Sequence, residues 1–203
     1  NDFVGPIPQG LSQLTKLSEL HIGGSPRLTG SFGEHITALT GLKEINYFNT
    51  SSMHGSFPVS ITRLAALTTL IWESQPGTNG TISARIGALT NLDELRIRGL
   101  RDLSGTIPDS IGDLERLKTM DFGYNPSLEG TIPSSITRLS RLERLILGGS
   151  KGLRGDLPAG FEKLKALNEL SLPASMNASR RKNINGLCAD NASIYMEVYF
   201  TAC

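Results

Sequence analysis

Gly5, Gly30, Gly55, Gly80, Gly105, Gly130 and Gly155 recur every 25 residues without a slip, and this column constrains the fold more than any other feature. Around these glycines stand the phrases VGPIP, TGSFG, HGSFP, NGTIS, SGTIP, EGTIP and RGDLP. Leu14, Leu39, Leu64, Leu89, Leu114, Leu139 and Leu164 keep the same period, as do Leu17, Leu42, Leu67, Leu92, Leu117, Leu142 and Leu167. A third column runs Leu20, Ile45, Leu70, Leu95, Met120, Leu145, Leu170, and a fourth follows two residues on: Ile22, Tyr47, Trp72, Ile97, Phe122, Leu147, Leu172. So many columns in register specify a stack of like units. Within a unit, Glu19-Leu20-His21-Ile22 alternates polar and apolar, the pattern of a short strand with one buried face. Stacking pairs such strands in parallel about 4.8 Å apart, so seven coils make a sheet roughly 30 Å across. After the glycine, Ile111 and Leu114 are three apart, as in a helical or 3₁₀ turn on the outer side. The glycine suits a tight bend where a Cβ would be costly. No coil buries its leucines alone, so stability resides in the interfaces between coils. The expected fold is an α/β solenoid over residues 1–175, a right-handed superhelix with a parallel, concave β-sheet.

The rest of the chain excludes several classes. At 203 residues it is long enough for one or two ordinary domains. A formal net charge of +1 gives nucleic acid no general attraction, and no nucleic-acid partner is expected. No run of 18 apolar residues is present, so this segment is expected not to insert into a membrane. The polar start Asn1-Asp2 carries no signal peptide. The 22 glycines and 6% aromatics would suit a disordered chain, but the regular placement of the glycines argues for order.

The unit LxxLxxLxLxx…xLxGxIPxxIxxL resembles the plant-specific class of leucine-rich repeats, found in the ectodomains of receptor-like kinases and receptor-like proteins and in polygalacturonase-inhibiting proteins. The resemblance covers about residues 3–175. It implies a leucine-rich-repeat superhelix in which the GxIP segment makes a second small sheet on the flank. Gly105-Thr-Ile-Pro108 and Gly130-Thr-Ile-Pro133 match that segment best. There are departures. The family's asparagine after the strand, which hydrogen-bonds buried backbone between coils, is clear only at Asn125; Ser25, Thr50, Gln75, Leu100 and Ser150 hold the equivalent positions. Units are one residue longer than the commonest length, and a paired-cysteine N-terminal cap is missing. The edge around Phe3-Val4 is therefore a candidate surface for dimerisation or for a further N-terminal segment.

After Leu172 the pattern stops, since the next glycine is due at Arg180. The tail Asn185-Gly-Leu-Cys188 followed by Cys203 resembles the C-terminal cap of plant-type repeat proteins, which implies a cap over 176–203 and a Cys188–Cys203 disulfide. A loop of that size is worth about 3 kcal/mol in the chain-entropy account. Four glycosylation sequons begin at Asn49, Asn79, Asn177 and Asn191, none in a leucine column. Sequons and disulfide together point to a secreted or cell-surface protein.

Nothing points to catalysis. His21, His35 and His54 share no metal-ligand spacing, and neither cysteine is placed to join them. The G-x-S-x-G, Walker A and H-E-x-x-H patterns are absent, so no catalytic residue, metal or cofactor is expected. The expected activity is the binding of a protein or peptide.

The strand residues flanking the buried pair point to the concave side. The candidate binding residues are Glu44, Asn46, Phe48, Ile71, Glu73, Glu94, Arg96, Arg98, Asp121 and Arg144. Stacking is expected to set Glu73 against Arg98, Arg96 against Asp121 and Arg144 against Glu169. Phe48 and Ile71 are apolar at solvent-facing positions of adjacent strands and rimmed by charge, the make-up of a protein-binding centre. Trp72, Tyr47 and Phe122 belong to the inward column and are read as core. A rival surface lies on the flank, where Ser31, Ser56, Thr81, Thr106 and Thr131 share the position after the glycine. That ladder leaves ice or polysaccharide binding as the alternative.

Overall fold

The computed structural model describes residues 3–176, with the side chains of residues 34 and 35 excepted, and the backbone of two later strands, Ser193–Met196 and Tyr199–Phe200. The repeat becomes a ladder of parallel strands: Glu19–Gly23, Glu44–Phe48, Thr69–Glu73, Glu94–Arg98, Thr119–Asp121, Arg144–Ile146 and Glu169–Leu172. Partners lie one period apart, Leu20 against Ile45 and Ile45 against Leu70, so each sequence column becomes a row across the sheet.

The rows carry the core. Leu39, Leu64, Leu89, Leu114, Leu139 and their partners from Leu42 to Leu142 are fully buried. Each such side chain removed from water contributes about 1.5–3 kcal/mol. Tyr47, Trp72 and Phe122 are buried as expected. Phe32, Tyr47 and Phe57 meet Trp72 edge-on at 4.4–5.1 Å between ring centres, so aromatic packing reinforces the second and third coils. Leu14 departs from its column: it is 52% exposed because no coil covers the first one.

The outer segments are 3₁₀ turns, among them Gln9–Gln13, Val59–Arg63, Asp109–Asp113 and Ser134–Arg138, and the described residues contain no α-helix. Pro8, Pro58, Pro108 and Pro133 stand before these four turns in extended backbone. A buried leucine or isoleucine every third residue, with i→i+3 bonds such as Leu114 N–H to Ile111 O, favours the tighter helix.

The flank does form a second sheet. It comprises His54–Ser56, Gly77–Thr81, Asp102–Thr106, Leu128–Gly130 and Gly152–Leu153, with a separate pair, Gly5–Pro6 and Leu28–Thr29, at the N-terminal end. Its strands begin upstream of the expected GxIP segment; four end at or just after the glycine, and Gly152–Leu153 ends two residues before Gly155. Its two longest strands end at Thr81 and Thr106, whereas the Gly130 strand has three residues. The following isoleucines turn inward, with Ile82, Ile107 and Ile132 buried.

Beyond Leu172 the long sheet continues. Ser193–Met196 extends the long sheet in parallel, Glu169 pairing with Ser193, and Tyr199–Phe200 adds antiparallel to it. Cys188, Cys203, Asn177 and Asn191 lie outside the described residues.

Candidate functional site

Alternation puts Glu44, Asn46 and Phe48 on the open face of the long sheet, followed by Ile71 and Glu73, then Glu94, Arg96 and Arg98, then Arg144. All are half-buried or exposed, and Phe48 is 39% exposed. The Phe48 ring lies over Gly23 of the preceding strand, occupying the place of the side chain Gly23 lacks. Ile71 stands on the next strand, paired with Asn46. Phe48 is paired with Glu73, so the two apolar residues stand two positions apart on adjacent strands, with the Phe48 ring turned away from Ile71 towards Gly23.

Asp121 is a correction. It was expected at the contact surface, but it is 5% exposed. Its carboxylate accepts the Gly123 N–H at 2.9 Å and pairs with Arg98 at 2.9 Å. Asp121 is committed to holding its own loop and Arg98.

The expected charge pairs hold as backbone register, since Glu73 pairs with Arg98, Arg96 with Asp121 and Arg144 with Glu169. Only the last also makes an ion pair, at 2.7 Å. Arg98 instead reaches diagonally to Asp121, its guanidinium 4.7 Å from the centre of the Tyr124 ring. A fixed carboxylate and an aromatic platform together outweigh the directly opposed Glu73. Arg96 then contacts Glu94 on its own strand and Glu73 at 3.9 Å. At the N-terminal end His21 Nε2 meets Glu44 at 3.0 Å.

Tyr124 was missed in the sequence. It is 56% exposed, with φ +58. In the other inner and N-terminal coils its column holds Gly24, Asn49, Ser74, Gly99 and Gly149, all with positive φ, and only Ala174 in the last coil does not share it. A bulky ring in a column that requires left-handed backbone was the available signal. Gly149, on the following coil, gives the ring its room.

On the flank, Ser31, Ser56, Thr81, Thr106 and Thr131 are all exposed. The methyls of Thr81 and Thr131 sit about where a Cβ on Gly105 or Gly155 would come to 3.1 and 3.0 Å. Ser56 donates to Asn79 Oδ1 at 2.9 Å, so the ladder is not uniformly open to a ligand. Asn49 and Asn79 are exposed. His54 Nδ1 lies 2.8 Å from the Gly30 carbonyl, His21 is on the open face, and the His35 side chain lies outside the described residues. Among the described residues no group of three His, Cys, Asp or Glu converges, and no helix is long and apolar enough to cross a membrane.

No family model and no curated protein sequence matches the chain. Solved structures do. The plant peptide hormone receptor RGFR1, solved in complex with RGF2, superposes with a TM-score of 0.75 at 30% identity, over 85% of this chain and 27% of that one. The Arabidopsis receptor kinase HAESA, in complex with the peptide hormone IDA and the co-receptor SERK1, gives 0.76 at 27% identity, over 97% of this chain and 32% of that one. PEPR1 in complex with AtPEP1 gives 0.75 at 28%, over 87% and 24%. The chain thus spans about a quarter to a third of the length of these receptors. The periodic columns, the flank sheet and these superpositions agree: the chain is a leucine-rich-repeat solenoid of the plant type.

Proposed function

We propose that this chain is a non-enzymatic binding module that takes a protein or peptide on the concave, open face of its long sheet and along the adjoining flank. The observation that carries the reading is the exposed Phe48 and half-buried Ile71 on the open face of neighbouring strands, beside Glu44, Asn46, Glu73, Glu94, Arg96 and Arg98, with Arg144 farther along the same face. Isolated exposed apolar residues are ordinary, but two on the open face of adjacent strands and rimmed by charge fit a binding centre. The superposing receptors RGFR1 and HAESA are receptors of peptide hormones, which supports this class of ligand. Phe48→Ala and Arg96→Glu test the reading: Phe48→Ala should weaken an identified partner about tenfold or more, and Arg96→Glu should change its affinity. Unchanged binding in both variants sinks it.

The module belongs to a secreted or cell-surface protein in this reading, with Cys188 and Cys203 joined and glycans on one or more of Asn49, Asn79, Asn177 and Asn191. Non-reducing and reducing mass spectra would differ by the mass of two hydrogen atoms if the cysteines are joined. The open edge strand Glu19–Gly23 is where a second copy would add. The alternative, a flank that binds ice or polysaccharide, draws on the exposed hydroxyl column. Ice shaping by the purified protein would favour it over the open face.

A further inference from the structure

We infer that the open face of the long sheet selects an extended segment of polypeptide that carries a large apolar side chain beside a lysine or arginine. The inference rests on the binding reading above and gives its partner a chemistry.

The cations of the face are already engaged. Arg98 is held by Asp121, Arg144 by Glu169, and Arg96 by Glu94 and Glu73. An arriving carboxylate would have to displace one of these acids, two of which grip at 2.7–2.9 Å. The carboxylates, in contrast, are in excess towards the N-terminal end. Glu19 stands directly across from Glu44 in the strand register, an arrangement of like charges that raises the energy of the free face. Glu44 is met by His21, whereas Glu19 makes no ion pair among the described residues.

This unbalanced charge lies beside the apolar anchor. Glu44, Asn46 and Phe48 share one strand face, and Ile71 is paired with Asn46. From strand rise and spacing, Ile71 lies roughly 8 Å from Glu44 in the sheet plane, a span of two to three extended residues. A peptide that lays an aliphatic or aromatic side chain against Phe48 and Ile71 can therefore bring an ammonium or guanidinium to Glu19 and Glu44. Apolar contact supplies most of the affinity, and charge complementarity selects the sequence.

The test is selection of a phage-displayed library of random linear peptides on the 203-residue chain, followed by titration of synthetic selected peptides against variants. The expected pool pairs a large apolar residue with Lys or Arg one to three positions away. Its peptides should lose about tenfold in affinity on Phe48→Ala and about threefold or more on Glu19→Gln with Glu44→Gln. Arg96→Gln frees Glu94 and Glu73 from their cation and should tighten the binding of these peptides. The glutamines keep shape at exposed or half-exposed positions, and circular dichroism confirms folding. A pool rich in acidic residues that loses binding on Arg96→Gln or Arg98→Gln overturns this inference and leaves the binding reading standing. A pool whose binding ignores Phe48→Ala and Ile71→Ala, or no enrichment at all, overturns both.

Discussion

Position 25 of each coil is where single residues decide stability between coils. Asn125 bonds to three backbone groups at once. Its Oδ1 accepts the Leu100 N–H at 2.8 Å, and Nδ2 donates to the carbonyls of Ile97 at 2.6 Å and Phe122 at 3.0 Å. Ser150 continues the network, donating to Phe122 O at 2.6 Å and accepting the Asn125 N–H at 3.0 Å. In the earlier coils Thr50 donates its hydroxyl to Gln75 Oε1 at 2.8 Å, but Gln75 Nε2 is buried with no hydrogen-bond partner among the described residues. Asn125→Leu should cost about 2–4 kcal/mol, because it orphans several buried backbone groups. Gln75→Leu removes an unsatisfied donor but also the shared acceptor of the Thr50 hydroxyl and N–H, one backbone group against three for Asn125, and should cost less; urea unfolding of the two variants compares them. An equal loss would show that the amides are equivalent. The asparagine column looked weak in the sequence because its work is shared among Ser, Thr and Gln. Tyr47 gives a second prediction at this scale. Burial pushes its phenol above the ordinary value, and a hydrogen bond with Thr50 takes back part of that shift. The folded chain then keeps a proton that the unfolded chain releases, so this contribution is intact below about pH 10 and is lost as pH rises through the folded value. Thermal unfolding from pH 9 to 11 should show the decline, and Tyr47→Phe should flatten it.

Among the elements, the flank strands turn on the glycine column. Gly105 has φ +78, and a Cβ there would come to 3.1 Å from the Thr81 methyl on the preceding coil. Gly105→Ala should therefore cost about 1–3 kcal/mol through backbone strain and contact together. Adding Thr81→Ser removes the methyl and should return only the contact part. Gly10→Ala, with nothing within 4 Å and ordinary φ, should lie within about 0.5 kcal/mol of the parent. Denaturant midpoints of the four proteins decide the matter; a Gly105→Ala as mild as Gly10→Ala would refute it. Element legibility followed the period. Columns 25 apart set the strand register correctly from Glu19 to Leu172. They set neither the side-chain pairing of Arg96 and Arg98, which depends on rotamers two residues off the register, nor the flank strands' offset from GxIP. The last parallel strand was hidden for a simpler reason. Ser193 pairs with Glu169, one residue short of the period, so Ile194 and Met196 fell outside the columns although they alternate as Leu170 and Leu172 do. The candidate site was legible as alternation: Phe48 and Ile71 followed from it, while Asp121 obeyed the same rule and was buried by its loop.

At the scale of the whole molecule the two ends of the solenoid differ. The long sheet finishes in the antiparallel strand Tyr199–Phe200 at one end and in the open strand Glu19–Gly23 at the other. Every inner coil has a neighbour on both sides, which is why Leu39 is fully buried and its first-coil counterpart Leu14 is 52% exposed. Phe3 and Val4 are 65% and 69% exposed, and a cavity of about 310 Å³ opens beside them, lined by Ile7, Leu11, Leu20 and Ile22 among others. An apolar rim beside a row of unpaired backbone groups is a template for another chain. A second copy meets both needs at once, because a two-fold axis sets the same strand and the same rim against each other. The 203-residue protein should accordingly sediment as a dimer, with a melting temperature that rises with protein concentration. Leu14→Lys and Val4→Lys place charge on the rim without entering the core, so they should give monomers that remain folded. Their melting temperature should no longer depend on concentration. If the parent protein sediments as a monomer at all accessible concentrations, or if the lysine variants remain dimeric, the association does not run through this edge.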